Sequence, residues 1–182
     1  MRNIFVIVIL TLGTWVHGQP LPDSWIGTYQ GTMELYGKES TPFAKVLVCL
    51  SLREIKKDSL WTYYMTYGEK DKPGYLEKNY HIVLNSDGLA LDEGGGVIIP
   101  MRLFGNCLMD FYTVEDSDNS TSYMSSLLCR QEHGELEFTL FGGSLEPIKS
   151  TQIVEESDHT FFGLNVYALG FNQHVVLNKI TK

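Results

Sequence analysis

Aromatic residues alternate along one stretch of this chain in a way that suits a binding site. Trp61, Tyr63, Met65 and Tyr67 share one phase of a period of two, and Thr62, Tyr64 and Thr66 share the other. On a strand, alternate residues face opposite sides of the sheet. Pointing inward, with Tyr80 and Phe111 from neighbouring strands, the stripe would line a pocket. Its phenol hydroxyls would then orient a mainly apolar ligand. The same residues would also serve as a filled core. Pointing outward, they would make a surface for protein or carbohydrate. Asp110 alternates with apolar Leu108 and Tyr112. The expectation for it is an outward polar position, with the interior as the other placement.

Other chemistry is sparsely supported. Metal sites need clustered His, Cys or carboxylates at ligand spacing. The five His, at 17, 81, 133, 159 and 174, are dispersed, and no C-x-x-C or H-x-x-x-H occurs. Residues 115–120 offer the oxygens of a calcium loop, but lack Gly at the sixth and Glu at the twelfth position counted from Asp116. A solvated hairpin loop is the expectation there. Gly142-Gly143-Ser144-Leu145-Glu146 is not a nucleophile elbow, because position 146 is not Gly. Carboxylates such as Asp92, Glu93 and Glu137 are too plentiful for a pair to signify glycoside hydrolysis. No catalytic residue and no metal ligand is assigned.

Cys107 and Cys129 lie symmetrically about Asp118. A hairpin turning there makes them cross-strand neighbours, within disulfide reach. A bridge and a pair of adjacent thiols both fit that register. Cys49, amid the apolar residues 46–52, is expected as a buried free thiol. Asn119-Ser120-Thr121 is a glycosylation sequon only in a eukaryotic source, and is given no weight here.

The elements that must position these residues are short. Arg2, an apolar run over 4–12 and small residues through Gly18 make a secretory signal peptide, with cleavage expected between Gly18 and Gln19. The run is short of the roughly 20 apolar residues that span a bilayer. Residues 19–182 read as one domain. Strands are expected over 25–35, 43–53, 60–67, 80–84, 89–92, 97–103, 107–114, 123–130, 135–141, 164–169 and 175–180, with Gly, Asn, Asp and Ser clusters between them. Residues 145–163 are irregular and have room for a short helix. No stretch carries a helical apolar stripe over three turns. The expected class is all-β and antiparallel, about 8–10 strands with at most one short helix. A closed barrel is favoured because closure removes exposed strand edges.

Composition agrees. Among 182 residues are 17 Gly, 9 Phe, 3 Trp and 10 Tyr, a mixture that suits strands and turns. With 14 Lys+Arg against 22 Asp+Glu the net charge is −8. No basic surplus exists to displace the counterions of nucleic acid, so that partner class is excluded.

Trp25-Ile26-Gly27-Thr28-Tyr29-Gln30-Gly31 resembles the W-x-G-x-(W/Y)-x-G opening of lipocalin-like, calycin-type barrels, including the nitrobindin-like branch. Residues 75–84, the acidic turn at 91–94, residues 103–108 and the closing 173–179 add to the likeness, which spans most of 24–180. The chain is thus similar to small exported bacterial proteins of lipocalin-like type and unknown function. The resemblance implies an up-and-down barrel whose first-strand Trp25 plugs one end. It also implies an interior open to a small hydrophobic or amphipathic molecule. Nitrobindin-like proteins hold haem through a His near the last strand. His174 is the one match, and the Val175-Val176-Leu177 that follows does not reproduce a haem pocket, so no cofactor is expected. The reading is a non-enzymatic, exported, periplasmic or extracellular binding protein. The alternative is an envelope-associated module for protein or glycan with a filled core.

Overall fold

The computed structural model describes residues 19–115, 117–151, 154–155 and 161–180. The expected signal peptide and Asp116 lie outside them. A 3-10 turn (Asp23–Trp25) precedes nine strands in unbroken succession. These are β1 (Gly27–Tyr36), β2 (Ala44–Lys56), β3 (Leu60–Tyr67), β4 (Leu76–Asn85), β5 (Gly88–Gly94), β6 (Val97–Phe104), β7 (Cys107–Glu115), β8 (Thr121–Arg130) and β9 (Leu136–Ser144). Two small ladders follow: β10 (Lys149–Ser150) pairs with β13 (Asn165–Val166), and β11 (Val154–Glu155) pairs with β12 (Phe161–Phe162). β14 (Phe171–Lys179) then inserts between β9 and β1 and closes a ten-strand, up-and-down antiparallel barrel.

One expectation fails between β9 and β14. Of 145–163, where a short helix had room to form, the described residues hold short ladders, and 152–153 and 156–160 lie outside the described residues. Residues 164–169 are not a barrel strand: β13 covers two of them, and Leu164, Tyr167 and Leu169 are exposed outside the wall. The closing strand takes its inward positions from Val175 and Leu177, both buried. Apolar content alone did not distinguish an outer connection from a wall strand.

The period of two sets the interior. In β2 the buried residues are Val48, Leu50 and Leu52, and in β3 they are Trp61, Tyr63 and Met65. Tight hairpins keep the register. Between β6 and β7 a two-residue turn places Gly105 at φ 60°, a conformation that Gly adopts without steric cost. Cys107 and Cys129 are register partners with Cα atoms 4.0 Å apart, joined by a disulfide across β7 and β8.

The two barrel ends differ. One is plugged by the segment before β1. Leu21 and Trp25 are buried in the core cluster with Leu52, Trp61, Ile82, Leu136 and Leu177. Three polar contacts strap the segment down. Tyr29 donates its hydroxyl to the Trp25 carbonyl at 2.9 Å, Arg130 Nε donates to the Ser24 carbonyl at 3.1 Å, and Lys179 Nζ donates to the Ile26 carbonyl at 2.6 Å. Gly31 permits the seam between β1 and β14, since a Cβ there would lie 2.2 Å from the Val176 carbonyl oxygen.

Candidate functional site: a tyrosine-lined cavity at the open end

The opposite end of the barrel is hollow. Tyr63, Met65 and Tyr67 reach it from β3, and Lys78 and Tyr80 from β4. Leu91 and Glu93 of β5, with Asp110 and Tyr112 of β7, form the facing wall. Met124, Ser126, Phe138 and Leu140 complete a cavity of about 230 Å³. A second cavity of about 350 Å³ adjoins it beneath Met33, Leu35 and Gln173, and shares Tyr67, Lys78 and Leu140 as a partition. Pairing fixes the layers: Tyr63 lies opposite Tyr80, Asp110 opposite Ser126, and Tyr112 opposite Met124.

Of the aromatic stripe, Tyr63, Met65, Tyr67 and Tyr80 line the cavity. Trp61 sits lower, 1% exposed, and belongs to the solid core. Phe111 requires a correction. It is 60% exposed on the outer face, where its ring stacks on Tyr123. Strand alternation explains this, because Asp110 and Tyr112 on either side of it face inward.

Asp110 is the second correction. The expected outward position is wrong, for it is 4% exposed inside the barrel. Its Oδ1 accepts the Ser126 backbone N–H at 2.8 Å, and its Oδ2 accepts the Ser126 hydroxyl at 2.5 Å. These two bonds make burial of the carboxylate tolerable. Desolvation still raises its pKa above the ordinary 3.8, against the lowering effect of Ser126.

The tyrosines are held neutral. Burial drives the Tyr63 hydroxyl well above its ordinary range, helped by nearby Tyr67 and Asp110. Tyr67 is raised to about 12 by burial and its tyrosine neighbours. Tyr112 is raised to about 12 by burial, then by Asp110 and Glu93. Each therefore remains a hydrogen-bond donor. The hydroxyls of Tyr63, Tyr67, Tyr80 and Tyr112 bond to no other described residue. Lys78 holds its ammonium 5.6 Å from the centre of the Tyr80 ring, a cation–π contact.

His174, the one match to a haem ligand, lies on the outer phase of β14, with Nε2 2.8 Å from Glu137 Oε1, and among the described residues no His lines the cavity. Among the described residues no group of three or more His, Cys, Asp or Glu is arranged to hold a metal ion. Sequence reading missed Lys78, Glu93, Tyr112, Met124 and Ser126. Phase would have found two of them, since Lys78 alternates with Tyr80 and Tyr112 with Asp110.

No protein-family model matches the chain, and no curated protein matches it.

Proposed function

We propose that this chain is an exported, lipocalin-like binding protein that holds one small, largely apolar ligand in the open end of its barrel. The observation that carries this reading is the convergence on one cavity, beside a buried carboxylate, of four tyrosines whose hydroxyls bond to no described residue. A filled core would satisfy or exclude such groups, whereas a ligand pocket keeps a few polar groups on an apolar wall. Native mass spectrometry of protein purified from its own host tests it. A small-molecule adduct lost on denaturation supports the reading, and bare protein that also takes up no small aromatic probe contradicts it.

Export is supported by the first 18 residues, with their charged start, apolar run and small residues before Gln19. The Cys107–Cys129 disulfide adds to this, because such bonds persist in oxidising compartments. Secreted protein with Gln19 at its N-terminus is the expected product. Full-length protein retained in the cytoplasm is the contrary result.

One observation favours the alternative, a surface for protein or glycan. On the outer face the rings of Phe111 and Tyr123 stack with centroids 6.3 Å apart, and Tyr167 meets Tyr123 edge-on at 6.4 Å. Under that reading Phe111→Ala abolishes partner binding and leaves the cavity unchanged.

A further inference from the structure

Asp110 is a buried carboxylate with no cationic partner. The two ion pairs among the described residues join Lys45 to Glu34 and His174 to Glu137, both away from the cavity. Among the described residues its carboxylate accepts hydrogen bonds only from Ser126, which is neutral. A carboxylate has room for further donors beyond these two. Lys78 does not meet the need, since its ammonium rests on the Tyr80 ring. Two acids, Asp110 and Glu93, face the cavity against this one base. Four tyrosines, Tyr63, Tyr67, Tyr80 and Tyr112, line the rest of the wall together with Met, Leu and Phe side chains, and an aromatic face attracts cations.

We propose that the occupant is a small organic ammonium ion, its nitrogen paired with the Asp110 carboxylate and its body packed among Tyr63, Tyr80 and Tyr112. This rests on the cavity being the ligand site. Three features favour a cation over a carboxylate-bearing ligand. The interior acids would repel an anion, the unpaired carboxylate lacks a counter-charge, and the tyrosine faces present negative potential. The unpartnered hydroxyls suit a ligand that also carries a hydrogen-bond acceptor. A cavity of about 230 Å³ has room for roughly one ring or a short chain, below the usual drug-sized range.

The test uses three probes that share a body and differ in head group: 2-phenylethylamine, 2-phenylethanol and phenylacetate. Calorimetric titration of the unmodified protein should rank the amine first, by about tenfold over the alcohol, the scale of one charge-assisted hydrogen bond. Asp110→Asn should abolish that preference and retain alcohol binding. The probe series on the unmodified protein stands even if the variant misfolds. Equal or tighter binding of the alcohol or of phenylacetate overturns the ammonium proposal and leaves the cavity as the ligand site. Failure of all three to bind overturns both.

Discussion

Ser126 grips Asp110 twice, through its backbone N–H at 2.8 Å and its hydroxyl at 2.5 Å. The two residues are register partners on β7 and β8, so the strand ladder itself sets the contact. Tyr63 from β3, Lys78 and Tyr80 from β4, Glu93 from β5 and Tyr112 from its own strand line the same cavity. The ligand account rests on this cavity, and it has consequences that can be measured.

The first concerns pH. Desolvation raises the folded-state pKa of Asp110 above 3.8. The native state therefore keeps this proton to higher pH than the unfolded chain does. Its contribution to stability is complete below the unfolded value and is lost as pH rises through the folded one. Asp110→Asn lacks that dependence. The stability of the parent minus that of the variant should thus decline as pH rises through this window, in urea unfolding at a series of pH values. A difference that grows with pH contradicts the assignment.

The disulfide gives a second prediction. Its ends are 22 residues apart in sequence, so chain-entropy arguments put its contribution at about 3 kcal/mol. Cys107→Ser with Cys129→Ser should lower stability by about that much. Thiol titration under denaturing conditions should find one free thiol, Cys49, before reduction and three after. Three free thiols in protein secreted into an oxidising compartment argue against the bridge.

The plugged end gives a third. Trp25 is 2% exposed within the core cluster, and Trp25→Ala should cost about 3–5 kcal/mol. Tyr29→Phe removes only the bond to the Trp25 carbonyl, and should cost about 1 kcal/mol. Neither change touches the cavity, so probe affinity in the folded fraction should stay within twofold. A large loss of affinity in Tyr29→Phe shows that the two ends are not independent.

Gly31→Ala tests barrel closure. The added methyl would press into the Val176 carbonyl oxygen, and backbone cannot yield as a side-chain tip can. We expect a loss of about 3 kcal/mol, read as a lower midpoint in urea. A shift within experimental error shows that the β1–β14 seam tolerates more separation than its geometry implies.

Much of this architecture is legible in the residues. Alternation in β3, the turn clusters and the symmetry of Cys107 and Cys129 about Asp118 lead to the strand order and to the adjacency of the two cysteines, while a bridge and a pair of free thiols both fit that adjacency. The site is only half legible. Alternation places Asp110 and Tyr112 on one face and Phe111 on the other, but residue type pulled the opposite way. A lone carboxylate normally avoids the interior, and an aromatic normally seeks it. Ser126 decides the matter by satisfying Asp110 across the ladder, and that pairing becomes visible only once register is known. Lys78 and Glu93 look like surface charges for the same reason, although Lys78 shares the inward phase of Tyr80 on β4 and Glu93 that of Leu91 on β5.

The most direct measurement uses the methionines as reporters. Met65 and Met124 line the cavity. Met109 lies on the opposite phase of β7 from Asp110. With methyl-labelled methionine, titration with 2-phenylethylamine should shift the Met65 and Met124 signals and leave that of Met109 in place. Shifts confined to Met109, or none at all, contradict a ligand held inside the barrel.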